Sequence, residues 1–180
     1  KMLLKKHRQD RTFIDWDGWI PLDTAHLDAI NSSKALILTG GPAIQTDVYP
    51  SVYPLTKYLN NIKVPIITFG LGAKTKTTLM QTIPETRFSK NSITLLDKIN
   101  GCGYISSVRD YSSMRLLESL GFNNFKMTGC PALFETESIP PKKTGNNTTR
   151  ITFSTGAYFA ANHALERQMK DTILKLNDYK

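Results

Sequence analysis

The chain has 180 residues and a mass of 20.2 kDa, enough for one well-packed domain with little left for a second. Apolar residues make up 40% and charged residues 21%, ordinary globular usage that excludes wholesale disorder. The longest apolar runs, such as 35–38 and 64–67, fall far short of the roughly 20 residues that span a bilayer. The formal charge of +8 suits an anionic partner such as a phosphorylated metabolite, a charged glycan, nucleic acid or a membrane surface.

The basic residues are dispersed. The one dense cluster, Lys5, Lys6, Arg8 and Arg11, reads as a solvated terminus. No apolar run follows it, so no secretory signal is expected there. Zinc spacing, an RNA-binding aromatic signature and a basic zipper are all missing, so nucleic acid is not the expected partner. Cys102 and Cys130 are the two cysteines and read as small buried side chains in a reducing compartment. Asn146 and Asn147 begin Asn-X-Thr triplets and read as polar linker residues.

Residues 34–39 (Lys-Ala-Leu-Ile-Leu-Thr) form a buried strand by composition, ended by Gly40-Gly41-Pro42. Residues 49–61 can form a helix, which Pro50 and Pro54 confine to a start near Pro54. Residues 64–69 are the second buried strand, closed by Gly70-Leu71-Gly72. A polar excursion follows over 73–90, of a length that suits a functional or a mobile loop. The spacing of Ile93, Leu96 and Ile99 predicts a helix over 91–100 with Gly101 as its stop.

Residues 104–108 form the third strand. Asp110 then caps a helix whose predicted apolar stripe is Met114, Leu117 and Leu120, closed by Gly121. Residues 124–128 are the fourth strand. Strand and helix alternate throughout, which predicts the α/β class: a Rossmann-like parallel sheet with helices on both faces. This body covers 1–134. Residues 135–150, with Pro140-Pro141, two lysines and Gly145, read as a linker. Ile151 opens a strand over 151–154, and Leu165, Met169, Ile173 and Leu176 predict a helix over 163–177. One strand and one helix cannot bury a core alone, so 151–180 reads as the start of a second, incomplete domain.

Ligands of an open parallel sheet bind beyond the carboxyl ends of the strands. Three turns here leave such ends: Gly40-Gly41-Pro42, Gly70-Leu71-Gly72 and Arg109-Asp110. Glycine lets the backbone approach a ligand closely and turn an amide toward it, although glycine after a strand is equally plain turn chemistry. Walker and dinucleotide spacings are both missing, and no cofactor is expected. Arg109, at a strand end before a helix N-terminus, places a bidentate donor beside unpaired amides, which suits phosphate or carboxylate. Ser112 and Ser113, in the first turn of that helix, are candidate hydroxyl donors. The alternative is that Asp110 caps the helix while Arg109 pairs with a neighbouring acid. Cys130 has no histidine near it in sequence to make a thiolate, so packing is its expected role. His7, His26 and His163 show neither metal-ligand spacing nor triad context, and no metal site is expected. The catalytic residues are not legible.

Residues 107–113 (Ser-Val-Arg-Asp-Tyr-Ser-Ser), then Leu116-Leu117 and Leu120-Gly121, resemble a segment of the polysaccharide pyruvyl transferases. There a strand ends in Arg-Asp or Arg-Glu, followed by Ser and a Leu-rich helix. The Gly40-Gly41 strand, the 64–72 segment and Gly129-Cys130-Pro131-Ala132 agree in order, so the similarity covers roughly 35–134. Two residues depart from the pattern: Pro42 stands where a third glycine is common, and Cys130 where Asp is usual. The resemblance implies a GT-B-like two-domain enzyme with its active site between Rossmann-like halves. It also implies transfer of the enolpyruvyl unit of phosphoenolpyruvate to two hydroxyls of a sugar, forming a ketal. Arg109, Ser112, Ser113, Gly40, Gly41, Gly70 and Gly72 would bind substrate, with Arg109 holding the anionic donor and offsetting charge on the departing phosphate. The implied acceptor is a cell-surface glycan of exopolysaccharide biosynthesis or its lipid-linked precursor. The implied location is the cytoplasm, with peripheral association at the inner membrane face as a variant. A catalytic histidine and further basic residues would come from the second domain, so this chain alone is expected to be inactive. The rival readings are a GT-B glycosyltransferase using a sugar nucleotide and a catalytically silent α/β interaction module.

Overall fold

The computed structural model describes residues 2–18, 20–55, 59–74, 87–134 and 163–177. The chain divides into two units, Lys1–Ile139 and Pro140–Lys180. In the first unit the helices are α1 (Met2–His7), α2 (Thr24–Asn31), α3 (Lys90–Asn100) and α4 (Tyr111–Ser119). The strands are β1 (Leu36–Thr39), β2 (Ile66–Phe69), β3 (Ser106–Val108) and β4 (Phe125–Met127).

β1 and β2 pair in parallel with Leu36 opposite Ile66 and Leu38 opposite Thr68. β3 and β4 pair in parallel with Ser106 opposite Phe125. β2 and β3 lie side by side, joined by a parallel bridge between Leu71 and Val108. The α/β class expected from the alternation is therefore observed, and the spatial order β1-β2-β3-β4 follows the chain. Cover is unequal at the β1 edge. Leu38 is 5% exposed on the face it shares with Thr68, while its neighbour Ile37 on the other face is 36% exposed.

Local chemistry explains most helix ends. Asp23 caps α2 with a reciprocal box: its carboxylate accepts from the His26 amide at 3.0 Å, and its own amide donates to His26 Nδ1 at 3.4 Å. Ser89 caps α3, which buries Ser92, Leu95, Leu96 and Ile99. In α4 the buried residues are Ser113, Leu116 and Leu117, while Leu120 is 42% exposed. The predicted stripe thus shifts: the helix ends at Ser119, and Leu120 belongs to the turn that Gly121 completes at φ +86°. Each fully buried Leu or Ile contributes about 1.5–3 kcal/mol, so Leu95, Leu96, Ile99, Leu116 and Leu117 fix both helices against the strands.

The helix expected to start near Pro54 is not formed at Pro54 or Leu55. The chain makes one π-type turn at Val48–Val52, with Tyr49 extended at φ −133° and ψ 132°, and a 3-10 turn at Leu59–Asn61. A tertiary contact holds the extended Tyr49. The Tyr49 amide donates to Ser92 Oγ at 3.3 Å, and that hydroxyl donates back to the Tyr49 carbonyl at 3.4 Å. The basic terminus is exposed but paired: Arg8 forms two bonds of 2.9 Å to Asp10, Arg11 meets Asp10 at 3.1 Å and Lys5 meets Asp15 at 3.1 Å.

In the second unit, α5 (His163–Asn177) spans the residues its periodicity predicted. Glu166 and Lys170 pair at 2.8 Å one turn apart, in the order that suits the helix dipole, and this pairing lowers the Glu166 pKa. The linker at 135–150, the strand expected over 151–154 and most of the 73–90 excursion lie outside the described residues.

Candidate functional site

Beyond the strand ends the loops continue the sheet. The Ile44 amide donates to the Gly72 carbonyl at 2.9 Å and Lys74 donates to Ile44 at 2.8 Å, a parallel bridge between 44 and 73. On the other side Arg109 donates its amide to the Leu71 carbonyl at 2.8 Å. Since Leu71 pairs with Val108, the next residues in register are Gly72 and Arg109. In a parallel pair, neighbours in register face the same way. The Arg109 side chain accordingly lies across Gly72. A Cβ added at Gly72 would overlap the guanidinium, with Nη2 only 2.7 Å away. On its opposite side Gly72 donates to the Gly41 carbonyl at 3.1 Å. Three sequence-predicted residues, Gly41, Gly72 and Arg109, are thus brought together.

Arg109 is one-third exposed in its side chain. Its Nε lies 3.4 Å from Asp110 Oδ2, a long contact of modest worth, and its two Nη groups have no partner among the described residues. Asp110 caps α4 as read from sequence. Its Oδ1 accepts from the Ser113 amide at 2.7 Å and from the Ser113 hydroxyl at 2.8 Å. The positive end of α4 therefore already faces a carboxylate, while the outer half of Arg109 has no partner among the described residues.

The other predicted residues divide. Gly40 and Gly41 are exposed, and their amides make no hydrogen bond among the described residues. Gly70 and Gly72 are buried, and their amides are committed to Ser107 and to Gly41, so the expectation that these two face a ligand gives way to a structural role. Gly70 has φ +68°, and its missing Cβ leaves the space filled by the Pro131 ring. Ser113 is fully buried; its hydroxyl donates to Asp110 and accepts from the Ala73 amide at 2.7 Å, leaving nothing for a substrate. Ser112 is half-buried beside it. Cys102 and Cys130 are both free thiols and only half-buried, not packed inside as expected.

One contributor was missed, and Ser113 was given a different role. Tyr53, 5% exposed, donates its hydroxyl to the Thr39 carbonyl at 3.0 Å and so holds the end of β1. Burial pushes its phenol pKa up, which keeps it a donor. Nothing in the local sequence marks this residue. Ser113 as a clamp was detectable, because Asp-Tyr-Ser-Ser places a hydroxyl three residues after the capping Asp110. A cavity of about 1160 Å³ lies elsewhere, along Trp16, Ile37, Ile67 and Tyr104. Of the cationic residues that line it, Arg8 and Arg11 are held by Asp10, and Lys34 has no ion-pair partner among the described residues.

The fold is of the α/β class, a small parallel sheet with Arg109 at the carboxyl end of β3. The chain belongs to the polysaccharide pyruvyl transferase family, whose model matches residues 1–179. This match extends the sequence resemblance from roughly 35–134 to nearly the whole chain. No curated protein and no solved structure matches it. Among the described residues no helix is long and apolar enough to cross a membrane, and no cluster of His, Cys, Asp and Glu could hold a metal ion.

Proposed function

We propose that the protein transfers the enolpyruvyl unit of phosphoenolpyruvate to two hydroxyls of one sugar in a polysaccharide or its lipid-linked precursor. The product is a ketal at the former enol carbon, with inorganic phosphate as leaving group. The transferase class comes from the family; the donor, the acceptor and the role of Arg109 are our reading. The same reading carries the Rossmann-like, GT-B-like architecture.

The observation that carries it is the Arg109 side chain, laid across Gly72 with neither Nη group partnered among the described residues. A planar fork of donors is matched by a phosphate or a carboxylate, and phosphoenolpyruvate has both. The amides of Gly40 and Gly41, which make no hydrogen bond among the described residues, stand on the next loop, which Gly41 joins to Gly72. Charge building on the departing phosphate would be offset by the guanidinium, which needs no reorganisation to meet it. The net charge of +8 favours capture of such a donor.

Calorimetric titration of phosphoenolpyruvate into wild type and Arg109→Ala tests this. A hydrogen bond to a charged group is worth about 1.5–3 kcal/mol, so the variant should bind roughly ten- to a hundredfold more weakly with its fold intact. Equal affinity in both proteins sinks the Arg109 assignment. Binding of a sugar nucleotide in place of phosphoenolpyruvate would favour the glycosyltransferase reading, and binding of neither would leave an interaction module.

A further inference from the structure

We infer that Gly72 is a positioning residue: its bare Cα is the seat that aims the Arg109 guanidinium, and it does not itself contact substrate. The inference deepens the reading of Arg109 as an anion site and rests on it for its functional consequence. It stands on three observations. Gly72 is next in register to Arg109, so the two side-chain positions share one face. A Cβ at 72 would overlap the guanidinium at Nε, Cζ and Nη2, so the observed arginine rotamer exists only because position 72 has no side chain. The seat is also fixed from both sides. The Gly72 amide donates to Gly41 at 3.1 Å, and its carbonyl accepts from Ile44 at 2.9 Å. One residue further on, the Ala73 amide is held by Ser113 Oγ, the hydroxyl that also binds the α4 cap Asp110. The turn carrying Arg109 and the loop beneath it are thereby clamped together by a fully buried serine.

Glycine is not needed here for backbone reasons. Gly72 does not have the positive φ found at Gly40, Gly70, Gly103, Gly121 and Gly129. Alanine therefore fits the local conformation, and the three atoms nearest its Cβ all belong to the flexible end of Arg109, which can swing away. This separates Gly72 from Gly70 and makes Gly72→Ala a probe of arginine direction with the fold kept.

The test is a double-mutant cycle on the whole chain with two readouts. The first needs no ligand: the Arg109 Nε–H resonance, assigned by its loss in Arg109→Ala, should move in Gly72→Ala while backbone amide spectra away from 72 and 109 are unchanged. An unmoved resonance overturns the proposal. The second is affinity for phosphoenolpyruvate. Gly72→Ala should weaken it about tenfold, and should change nothing further in the Arg109→Ala background, because a seat without its occupant has no effect. Equal, additive losses in the two backgrounds overturn the proposal by making Gly72 an independent contact. If wild type does not bind phosphoenolpyruvate, the donor assignment fails, while the resonance still decides whether Gly72 aims the arginine.

Discussion

The amide of Thr68 in β2 donates to the side-chain hydroxyl of Ser106 in β3 at 3.0 Å, where a continuous sheet would offer a strand carbonyl. Thr68 returns the link one residue on, its hydroxyl donating to the Ser107 carbonyl at 2.9 Å. Hydroxyls thus stitch β2 to β3 in the fully buried centre of the sheet, and regular pairing resumes only at Leu71 and Val108. Ser106→Ala leaves the Thr68 amide buried without an acceptor, which costs about 1–3 kcal/mol. Ser107→Ala should cost less, about 0.5–1.5 kcal/mol. There the Gly70 amide keeps the Ser107 carbonyl at 3.0 Å, and the exposed Thr128 hydroxyl can turn to water. Denaturant unfolding of the two variants checks the order; a costlier Ser107→Ala would contradict it.

Asp110 serves the helix and opposes the arginine at once. Its Oδ1 caps α4 through Ser113, and its Oδ2 lies 3.4 Å from Arg109 Nε. Asp110→Asn keeps an oxygen for the cap, since Asn and Asp cap about equally well, and removes a negative charge beside the proposed anion site. If Arg109 holds the donor, affinity for phosphoenolpyruvate should rise several-fold while stability changes by less than about 1 kcal/mol. The gain should shrink as salt is added, because these groups are about one-third exposed. Titrations at low and high ionic strength read both effects. Weaker binding in Asp110→Asn would mean that the carboxylate helps the ligand, contrary to the proposal.

What the sequence disclosed was local. The apolar runs around Leu36–Thr39 and Ile66–Phe69 have no competing periodicity, and Asp110 and Gly121 carry their own capping chemistry. The π-type turn at Val48–Val52 was not legible because the extended Tyr49 inside it exchanges its backbone bonds with Ser92, 43 residues away. The site divides in the same way. Arg109 could be placed at a strand end from sequence, since strand and cap flank it. That Gly72 faces it follows from strand register, which no spacing along one segment reveals. Ser106 and Ser107 read as unremarkable strand residues for the same reason: their hydroxyls act across the sheet.

Asp10 is expected to titrate far below an ordinary carboxyl. The Arg8 hydrogen bond, as the first cause, holds its pKa down at about 2, against an ordinary 3.8. Because the folded value is the lower one, the stability it contributes is present above 3.8 and is lost as pH falls toward about 2. The pair is fully exposed, so the effect belongs to the titration itself and fades with salt. Carboxyl carbon shifts followed by NMR should place the Asp10 midpoint near 2, and Arg8→Ala should return it toward 3.8. A midpoint already near 3.8 in wild type would show that the pair does not persist in solution.

Gly70 should be far less tolerant than Gly72, for two separable reasons. At φ +68° any side chain sits in the left-handed region, which costs about 1–2 kcal/mol. A Cβ there would also overlap the Pro131 ring, which is anchored to the backbone and cannot swing aside as Arg109 can. Overpacking of this kind adds about 1–3 kcal/mol, so Gly70→Ala should lose roughly 2–5 kcal/mol in all. In Pro131→Ala the ring is gone, and the further cost of Gly70→Ala should fall to the backbone part alone, about 1–2 kcal/mol. Chemical denaturation of the four proteins in this cycle measures the coupling. Pro131 directly follows Cys130, so thiol alkylation rates in the same proteins should rise with Gly70→Ala, as the 129–131 turn is pushed off the loop. An additive cycle with unchanged alkylation would mean that the turn yields without strain, and the contrast drawn between Gly70 and Gly72 would not hold.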